Sequence, residues 1–443
     1  MDGMAVEQEA SPTPPAVVHD PAATVATGED QAAQRRRELM LVLMLASVQF
    51  TSIVDFMVVM PLGPELERVL GLNEAQFGRV VAAYTVAAGL AGFAASFVMD
   101  RFGRKSAFLT LYAGFLLGTL LCGLAWSYPT LVAARLATGT FGGILGGLAL
   151  AIVGDVVPES RRGWATGMLM TAFAVASVVG VPVGLDLGLR FGWQAPFLVL
   201  AALGTPILFV AMRVLPPLRG HIHRGEPVSL ARKTVEMFGH ANHLRAFALT
   251  VAVMFGGFTV IPFISVYLVR NAGISQSQLK WIFVSGGVLT LFGAPLIGRA
   301  ADHFGKLPVF RVVASAAMVM LIAITNLPHV SILVAASVFG LLMLCNAGRM
   351  VPAMAMITAS VEPSKRGGFM SANAAVQHLA AGVAADFAGS WILGKAADGS
   401  LLHFDRVGYF AAACTLGSLW LAGRLRPAKA TRPSSEVQSA PSV

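Results

Sequence analysis

A carboxylate and a guanidinium stand in stretches that otherwise read as hydrocarbon. Asp55 sits inside SIVDFMVVMPLGPEL, residues 52–66, ahead of Pro61 and Pro64, and Arg135 opens RLATGTFGGILGG. An ionised carboxylate at bilayer depth costs about 2.5 to 3.5 kcal/mol, so Asp55 needs a cation, a wet cavity or a proton. At 1.5 Å of rise per residue, Asp55 falls roughly 10 Å below the outer end of its segment, and Arg135 reaches a similar level from the start of its own. The two are expected to meet. An aspartate beside an arginine ionises readily, whereas one parted from it in drier surroundings takes up a proton, which is the ingredient of proton coupling. Arg135 cannot itself release a proton. The competing reading is an ion pair that only fixes helix packing.

A second group of polar residues lies in the last third of the chain. CNAGRMVPAM carries Asn346 and, almost one turn later, Arg349; ANAAVQHLAAGVAADFAG carries Asn373, Gln377 and His378 at comparable depth. His378 titrates near neutrality, so it is a second proton site, a cargo contact or a packing residue. Arg349 either attracts an anion or braces its helix. Asp386 has no partner by depth, and its role stays open. Phe255, Phe258, Phe263 and Tyr267 form an aromatic group that contacts an apolar cargo or faces lipid.

The elements that position these residues follow from composition. Of 443 residues, 56% are hydrophobic and 12% charged, and the charges cluster between long apolar runs. A bilayer core takes about 20 apolar residues as a helix. Twelve segments meet that scale: 39–62, 76–99, 106–126, 130–154, 164–188, 194–214, 245–268, 277–298, 309–326, 330–357, 368–393 and 407–424. A β-barrel would instead show alternating segments of roughly ten residues. Residues 1–37 read as a disordered tail whose first 34 residues hold no Lys or Arg, so no targeting peptide is expected. Cys122, Cys345 and Cys414 lie inside apolar segments without metal or disulfide spacing and are read as packing residues.

The net charge of +9 gathers on one side. Arg35, Arg36, Arg37, Arg101, Arg104, Lys105, Arg161, Arg162, Arg299, Lys306, Arg311, Lys365 and Arg366 all fall on the face that also holds both tails and the polar connection between segments six and seven. The positive-inside rule then puts both termini in the cytoplasm. The basic excess is a topology signal with anionic lipid as partner, and nucleic acid is excluded. Nothing matches G-x-x-x-x-G-K-[ST], and no catalytic constellation closes a segment, so neither a nucleotide-driven machine nor an enzyme is expected.

The chain repeats itself. SFVMDRFGRK at 96–105 closes the second segment as GRAADHFGKL at 298–307 closes the eighth; VPESRRG at 157–163 follows the fourth as VEPSKRG at 361–367 follows the tenth. Two loop types recurring in the same order argue for a duplicated six-helix unit. Asp100 sits at the C-terminal end of the second segment, the wrong end for its own helix dipole. The start of segment eleven offers unpaired N–H groups on the same side, and the start of segment five does the same for Asp302. Both contacts cross between halves, so making them closes the cytoplasmic side and breaking them opens it. Arg101, Arg104 and Lys105 add salt-sensitive pairing, the competing role being topology alone. Glycines at 139, 142, 143, 146 and 147 permit close helix approach, and Pro182 and Pro352 kink or soften their helices.

These motifs resemble the major facilitator superfamily, specifically its bacterial drug and metabolite efflux branch of arabinose-efflux-like proteins, over about residues 38–425. The loop at 96–105 is similar to that family's G-x-x-x-D-R-x-G-R-K signature, with Ser96 for the glycine; Gly103, and Gly305 in the second copy, keep its turn. Arg135 begins a stretch similar to the fourth-helix signature, with Thr138 for its glutamine. ASVVGVPVG at 176–184 is similar to the fifth-helix Gly-Pro antiporter motif, with Val181 between Gly180 and Pro182. DFMVVMPLGP and GRMVPAM resemble the first and tenth helices of the subgroup.

The resemblance implies that helices one, four, seven and ten line a central cavity. It places Asp55, Arg135, Phe255, Phe258, Asn346, Arg349, Gln377 and His378 there, with Asp55, Arg135 and His378 in proton coupling. Asp100, Arg101, Gly103, Arg104, Asp302, Gly305, Gly180 and Pro182 become gating residues. The expected protein is an all-α membrane protein of twelve transmembrane helices in two pseudo-symmetric six-helix bundles, 38–214 and 245–425. A cytoplasmic linker at 215–244 joins them, and a second disordered tail follows at 426–443. It is expected to be a monomer in a bacterial inner membrane, an antiporter without cofactor that exports a small organic molecule at the expense of a proton gradient. The alternatives are a nutrient or organic-anion importer or uniporter, and a non-transporting membrane scaffold. Cargo identity is not legible.

Overall fold

The computed structural model describes residues 28–98, 102–217, 239–362 and 365–428. Continuous apolar runs leave the backbone only one way to satisfy its own hydrogen bonds inside lipid, and these residues are almost entirely helical. The first half holds α1 (Gly28–Val58), a short α2 (Gly63–Leu70), α3 (Glu74–Val98), α4 (Arg104–Gly123), α5 (Tyr128–Val156), α6 (Glu159–Val175), α7 (Val181–Phe191) and α8 (Ala195–Val214). The second holds α9 (Ala241–Phe258), α10 (Ile264–Arg270), α11 (Gln276–Phe304), α12 (Lys306–Thr325), α13 (Ile332–Ala359), α14 (Arg366–Phe387) and α15 (Phe404–Arg424). Two-residue strands β1 (Gly394–Lys395) and β2 (Leu401–Leu402) pair antiparallel between α14 and α15.

Among the described residues, ten helical stretches are long and apolar enough to cross a membrane, including 159–191 and 241–270 taken whole. The remaining two crossings are α14, with its continuation to Ile392, and α15, whose polar residues dilute their hydropathy. Twelve crossings in two sets of six match the expected architecture. Boundaries move in three places. Helix α1 begins at Gly28, so residues 28–37, expected as tail, extend the first helix. Helix α9 begins at Ala241, inside the expected linker, and Asn242 bonds both the N–H and the C=O of Arg426, tying down the start of the second tail. The seventh segment is broken at Thr259–Phe263, where Pro262 opens a 3-10 turn.

Local chemistry explains the joints. Ser127 with Thr130, and Ser275 with Gln278, form capping boxes that start α5 and α11. Gly305 ends α11 at φ 93°, a left-handed angle that glycine adopts without Cβ strain, so α12 can begin at once. Between α6 and α7 the chain makes a π-helical turn over Ala176–Gly180, just before Pro182. A π-bulge absorbs the bond that proline cannot make and marks a place where the helix can bend.

Packing divides the molecule by level. At the end away from the termini, one apolar cluster runs through both halves, joining Val58, Leu62 and Phe77 to Phe263, Val266 and Phe339. At the end that carries the termini each half keeps its own core: Leu41, Phe108 and Val153 in the first, Phe247, Phe310 and Phe369 in the second. The halves are fused distally and parted near the termini.

Candidate functional site

The residues that initiate the reading do meet. Arg135 Nη1 donates to Asp55 Oδ2 at 2.7 Å and to the Asp55 carbonyl at 3.2 Å, with neither side chain more than 1% exposed. Asp55 comes from the second half of α1 and Arg135 from the second turn of α5, the antiparallel levels that spacing predicted. Thr119 of α4 donates to the other oxygen, Asp55 Oδ1, at 3.1 Å. The Tyr84 ring of α3 lies beneath the guanidinium, 4.6 Å from its carbon, and supplies a cation–π contact. Arg135 Nε and Nη2 have no hydrogen-bond partner among the described residues. The pair is therefore charge-compensated and incompletely satisfied, a cluster held in place but not saturated.

Arg349 is also sealed, in different company. Its Nη2 donates to Asn346 Oδ1 at 2.7 Å and to the Val253 carbonyl at 3.1 Å, and its Nη1 to Thr415 Oγ1 at 3.2 Å. All three acceptors are neutral, and its Nε has no hydrogen-bond partner among the described residues.

A cavity of roughly 500 Å³ opens between the halves near the termini, walled by α3 and α5 on one side and α14 on the other. Ala88, Gly92, Gly143 and Gly147 line it from the first half, Ser371, Ala375 and His378 from the second, and Arg104 stands at its edge. Of the eight residues expected in a central cavity, His378 lines this one. Asp55, Arg135 and Arg349 are turned into their own bundles, where donors hold the acid and acceptors hold the two arginines. Phe258 meets Phe56 of the first half at 6.2 Å, Phe255 packs on Phe410, and Gln377 is half-buried. Phe263 and Tyr267 are packing residues, against Phe77 and Phe404. Asn373 accepts from Thr250 inside the second half.

The gating residues separate by level. Asp100 and Arg101 lie outside the described residues. Arg104 pairs with Asp155 at 3.1 Å, a contact within the first half, and Gly103 precedes α4. Asp302 is exposed and makes no ion pair among the described residues, and the start of α6 has no side-chain cap, so the expected cross-half contact is not made in this conformation. Gly180 packs directly on Phe50 and on Val54, the residue next to Asp55 on α1, which ties the π-turn to the buried acid.

Three sets of ionic contacts join the halves at the distal end. Arg270 meets Glu67 and Glu74; Lys280 reaches Asp186 at 2.8 Å; Arg79 reaches Asp386 at 3.4 Å. Asp386, which depth alone left without a partner, thus has one on α3. A Cβ added to Gly78 would lie 2.8 Å from the Ala385 carbonyl, so α3 and α14 touch backbone to backbone there. Sequence reasoning missed Thr119, Tyr84, Glu67 and Arg270. The signal for the last two was available: Glu67 and Glu74 flank the first distal loop and Arg270 opens the corresponding loop of the second half.

Comparison with known proteins places this architecture. The family model described as Major Facilitator Superfamily matches residues 45–257 and 246–442. Among curated proteins, an uncharacterized MFS-type transporter of Bacillus subtilis strain 168, YceJ, is 25% identical over 343 residues, covering 77% of this chain and 87% of its own length. A probable sugar efflux transporter of Pasteurella multocida strain Pm70 is 23% identical over 267 residues, 60% of this chain and 65% of its own. Among solved structures, a D-xylose-proton symporter superposes with a TM-score of 0.69 at 16% identity, covering 88% of this chain and 98% of that one. A bacterial homolog of the human lysosomal transporter Spinster, inward-facing and unoccupied, superposes at 0.65 with 16% identity, over 88% and 95%.

Proposed function

The chain belongs to the major facilitator superfamily, a transporter and not an enzyme, and from that premise we propose that it is a proton-coupled antiporter exporting a small organic molecule across a bacterial inner membrane by alternating access. One observation carries this reading: the Asp55–Arg135 pair, closed at 2.7 Å with both groups buried. Asp55 is the acid of that cluster, and its ionised form is tolerable only while Arg135 is beside it. Movement of α1 against α5 parts them and makes a proton the replacement counter-charge. The contact of Gly180 with α1 links such a movement to the π-turn before Pro182.

Sidedness follows from charge. Arg37, Arg104, Lys105, Arg161, Arg162, Arg213, Arg299 and Lys306 gather at the end that holds the termini, which the positive-inside rule assigns to the cytoplasm. The cavity beside His378 then faces the cytoplasm, the side from which an exporter loads. The sugar efflux relative in Pasteurella multocida supports the outward direction. Cargo binds between the halves, His378 being the titratable wall residue, and proton binding at Asp55 drives the empty carrier back.

The test uses the full chain in everted membrane vesicles energised to an acidic lumen, with a pH-sensitive dye. Addition of single compounds from a panel of sugars, organic acids and hydrophobic drugs releases protons when one is exchanged. Asp55→Asn is expected to abolish that release by more than tenfold while the purified variant remains folded. Full proton release by Asp55→Asn sinks the assignment. Compound-stimulated proton movement of the opposite sense makes the protein an importer.

A further inference from the structure

Around the distal rim, Glu67 of α2 has a side chain with no exposed surface, although it belongs to a loop helix outside the membrane spans. Its oxygen Oε2 is in ion-pair contact with Arg270 Nη2, across the interface between the halves, yet among the described residues no donor is aimed at either Glu67 oxygen in hydrogen-bonding geometry. The same Arg270 gives its Nη1 to Glu74 Oε1 at 3.3 Å, and Glu74 is itself only 7% exposed. Two buried carboxylates therefore share one guanidinium, and the remaining cation that faces Glu67 among the described residues, Lys395 on β1, is on the exposed surface. Inside the buried cluster the carboxylates outnumber the cations two to one.

We infer that Glu67 is a proton-binding site that exists only while the distal ends of the two halves are joined, and that the bound proton completes a latch between α2 and α10. Burial is the largest influence on the Glu67 carboxyl, with Glu74 acting in the same direction and Arg270 and Lys395 opposing; together they push it up to about 7. When the halves part at this end, water returns to the carboxyl and it reverts toward an ordinary glutamate near 4.3. A group that holds its proton more tightly in the closed state favours that state as pH falls. The latch thus tightens between about pH 7 and pH 4.5 and loosens above it. On the sidedness proposed above, an acid exterior holds the outer gate shut and biases the carrier toward its cytoplasm-facing form, where cargo loads. This inference rests on the alternating-access part of that proposal and not on Asp55.

Cysteines replacing Val69 and Trp391, both exposed and on opposite halves, carry spin labels in the full chain with its native cysteines changed to alanine. Distances are measured in lipid nanodiscs from pH 8 to pH 5. The closed-to-open ratio is expected to rise by roughly 75-fold over that range, the ratio that follows from the two proton affinities. Glu67→Gln, a neutral isostere of the protonated form, stays closed at every pH, and Glu74→Gln shifts the midpoint toward acid. Asp55→Asn keeps the response, so its loss of transport and a failure of the latch are separate results. A wild-type ratio indifferent to pH, a Glu67→Gln protein that opens or titrates as before, or loss of the response in Asp55→Asn would overturn the inference.

Discussion

Arg135 and Arg349 are both fully buried, one in each half, and their surroundings differ by an acid. Arg135 has Asp55 at 2.7 Å; Arg349 has an amide, a hydroxyl and a backbone carbonyl. They are not repeat mates, since Arg135 lies near the start of α5 and Arg349 in the second half of α13. Yet the register that carries Asp100 onto Asp302 carries Asp55 onto Gly257, and a Cβ at Gly257 would lie 3.4 Å from Arg349 Nη2. The second half keeps a buried cation and leaves out the acid where the first half has one. Proton exchange needs a group that can change charge, and guanidinium is not one. Around its buried arginine the first bundle has a carboxylate, and the second has only neutral supports.

The sharpest break of this contrast removes each cation in turn. Arg135→Met leaves an ionised Asp55 buried without its partner, and breaking a buried pair in this way costs about 3–5 kcal/mol. Arg349→Met orphans no charge. Thr415 keeps a bond to the Ala411 carbonyl, so a loss nearer 1 kcal/mol is expected, the scale of an ordinary hydrogen bond. Thermal unfolding of the two purified variants in the same detergent compares them directly. Equal losses mean that the acid at position 55 is not what distinguishes the halves.

Much of the first half's site was legible because depth is a simple function of sequence. Rise per residue and alternating helix direction are enough to put Asp55 and Arg135 at one level. The twelve crossings were legible for the same reason, as was the duplication. Helix rotation was not. Thr119 lies on a helix whose central stretch carries no charge, and a hydroxyl is a sufficient donor that leaves no mark in a hydropathy pattern. Arg349 was placed in the central cavity by resemblance; its orientation into the second half depends on Thr415 and Val253, residues distant in sequence. The pairing of Arg79 with Asp386 belongs to how two rigid halves meet, which neither half's sequence encodes alone. The Asp100 and Arg101 side of the gate lies outside the described residues.

Thr119 supplies the next test. Thr119→Val is close to isosteric and removes one donor from the acid while leaving Arg135 in place. A hydrogen bond to a charged group is worth about 1.5–3 kcal/mol, so the loss is expected to fall between those of Arg135→Met and Arg349→Met. A loss no greater than that of Arg349→Met would reduce the cluster to the ion pair alone and remove α4 from the site.

The smallest expected change sharpens the comparison most. Asn346→Asp alters one atom type at a position whose Oδ1 already lies 2.7 Å from Arg349 Nη2, so it gives the second half the acid it lacks without moving its packing. Burying a second charge roughly offsets the attraction it gains, and the unfolding midpoint is expected to shift by the equivalent of no more than about 1 kcal/mol. The information is in the cycle. On the Asn346→Asp background, Arg349→Met leaves an orphaned buried carboxylate, and its cost is expected to rise from about 1 kcal/mol to the 3–5 kcal/mol that Arg135→Met shows in the native first half. A coupling of that size assigns the difference between the halves to the acid. No coupling would mean that the bundles differ in how they solvate a buried arginine, and Asp55 would then have to be explained by the packing of α1 instead of by its charge.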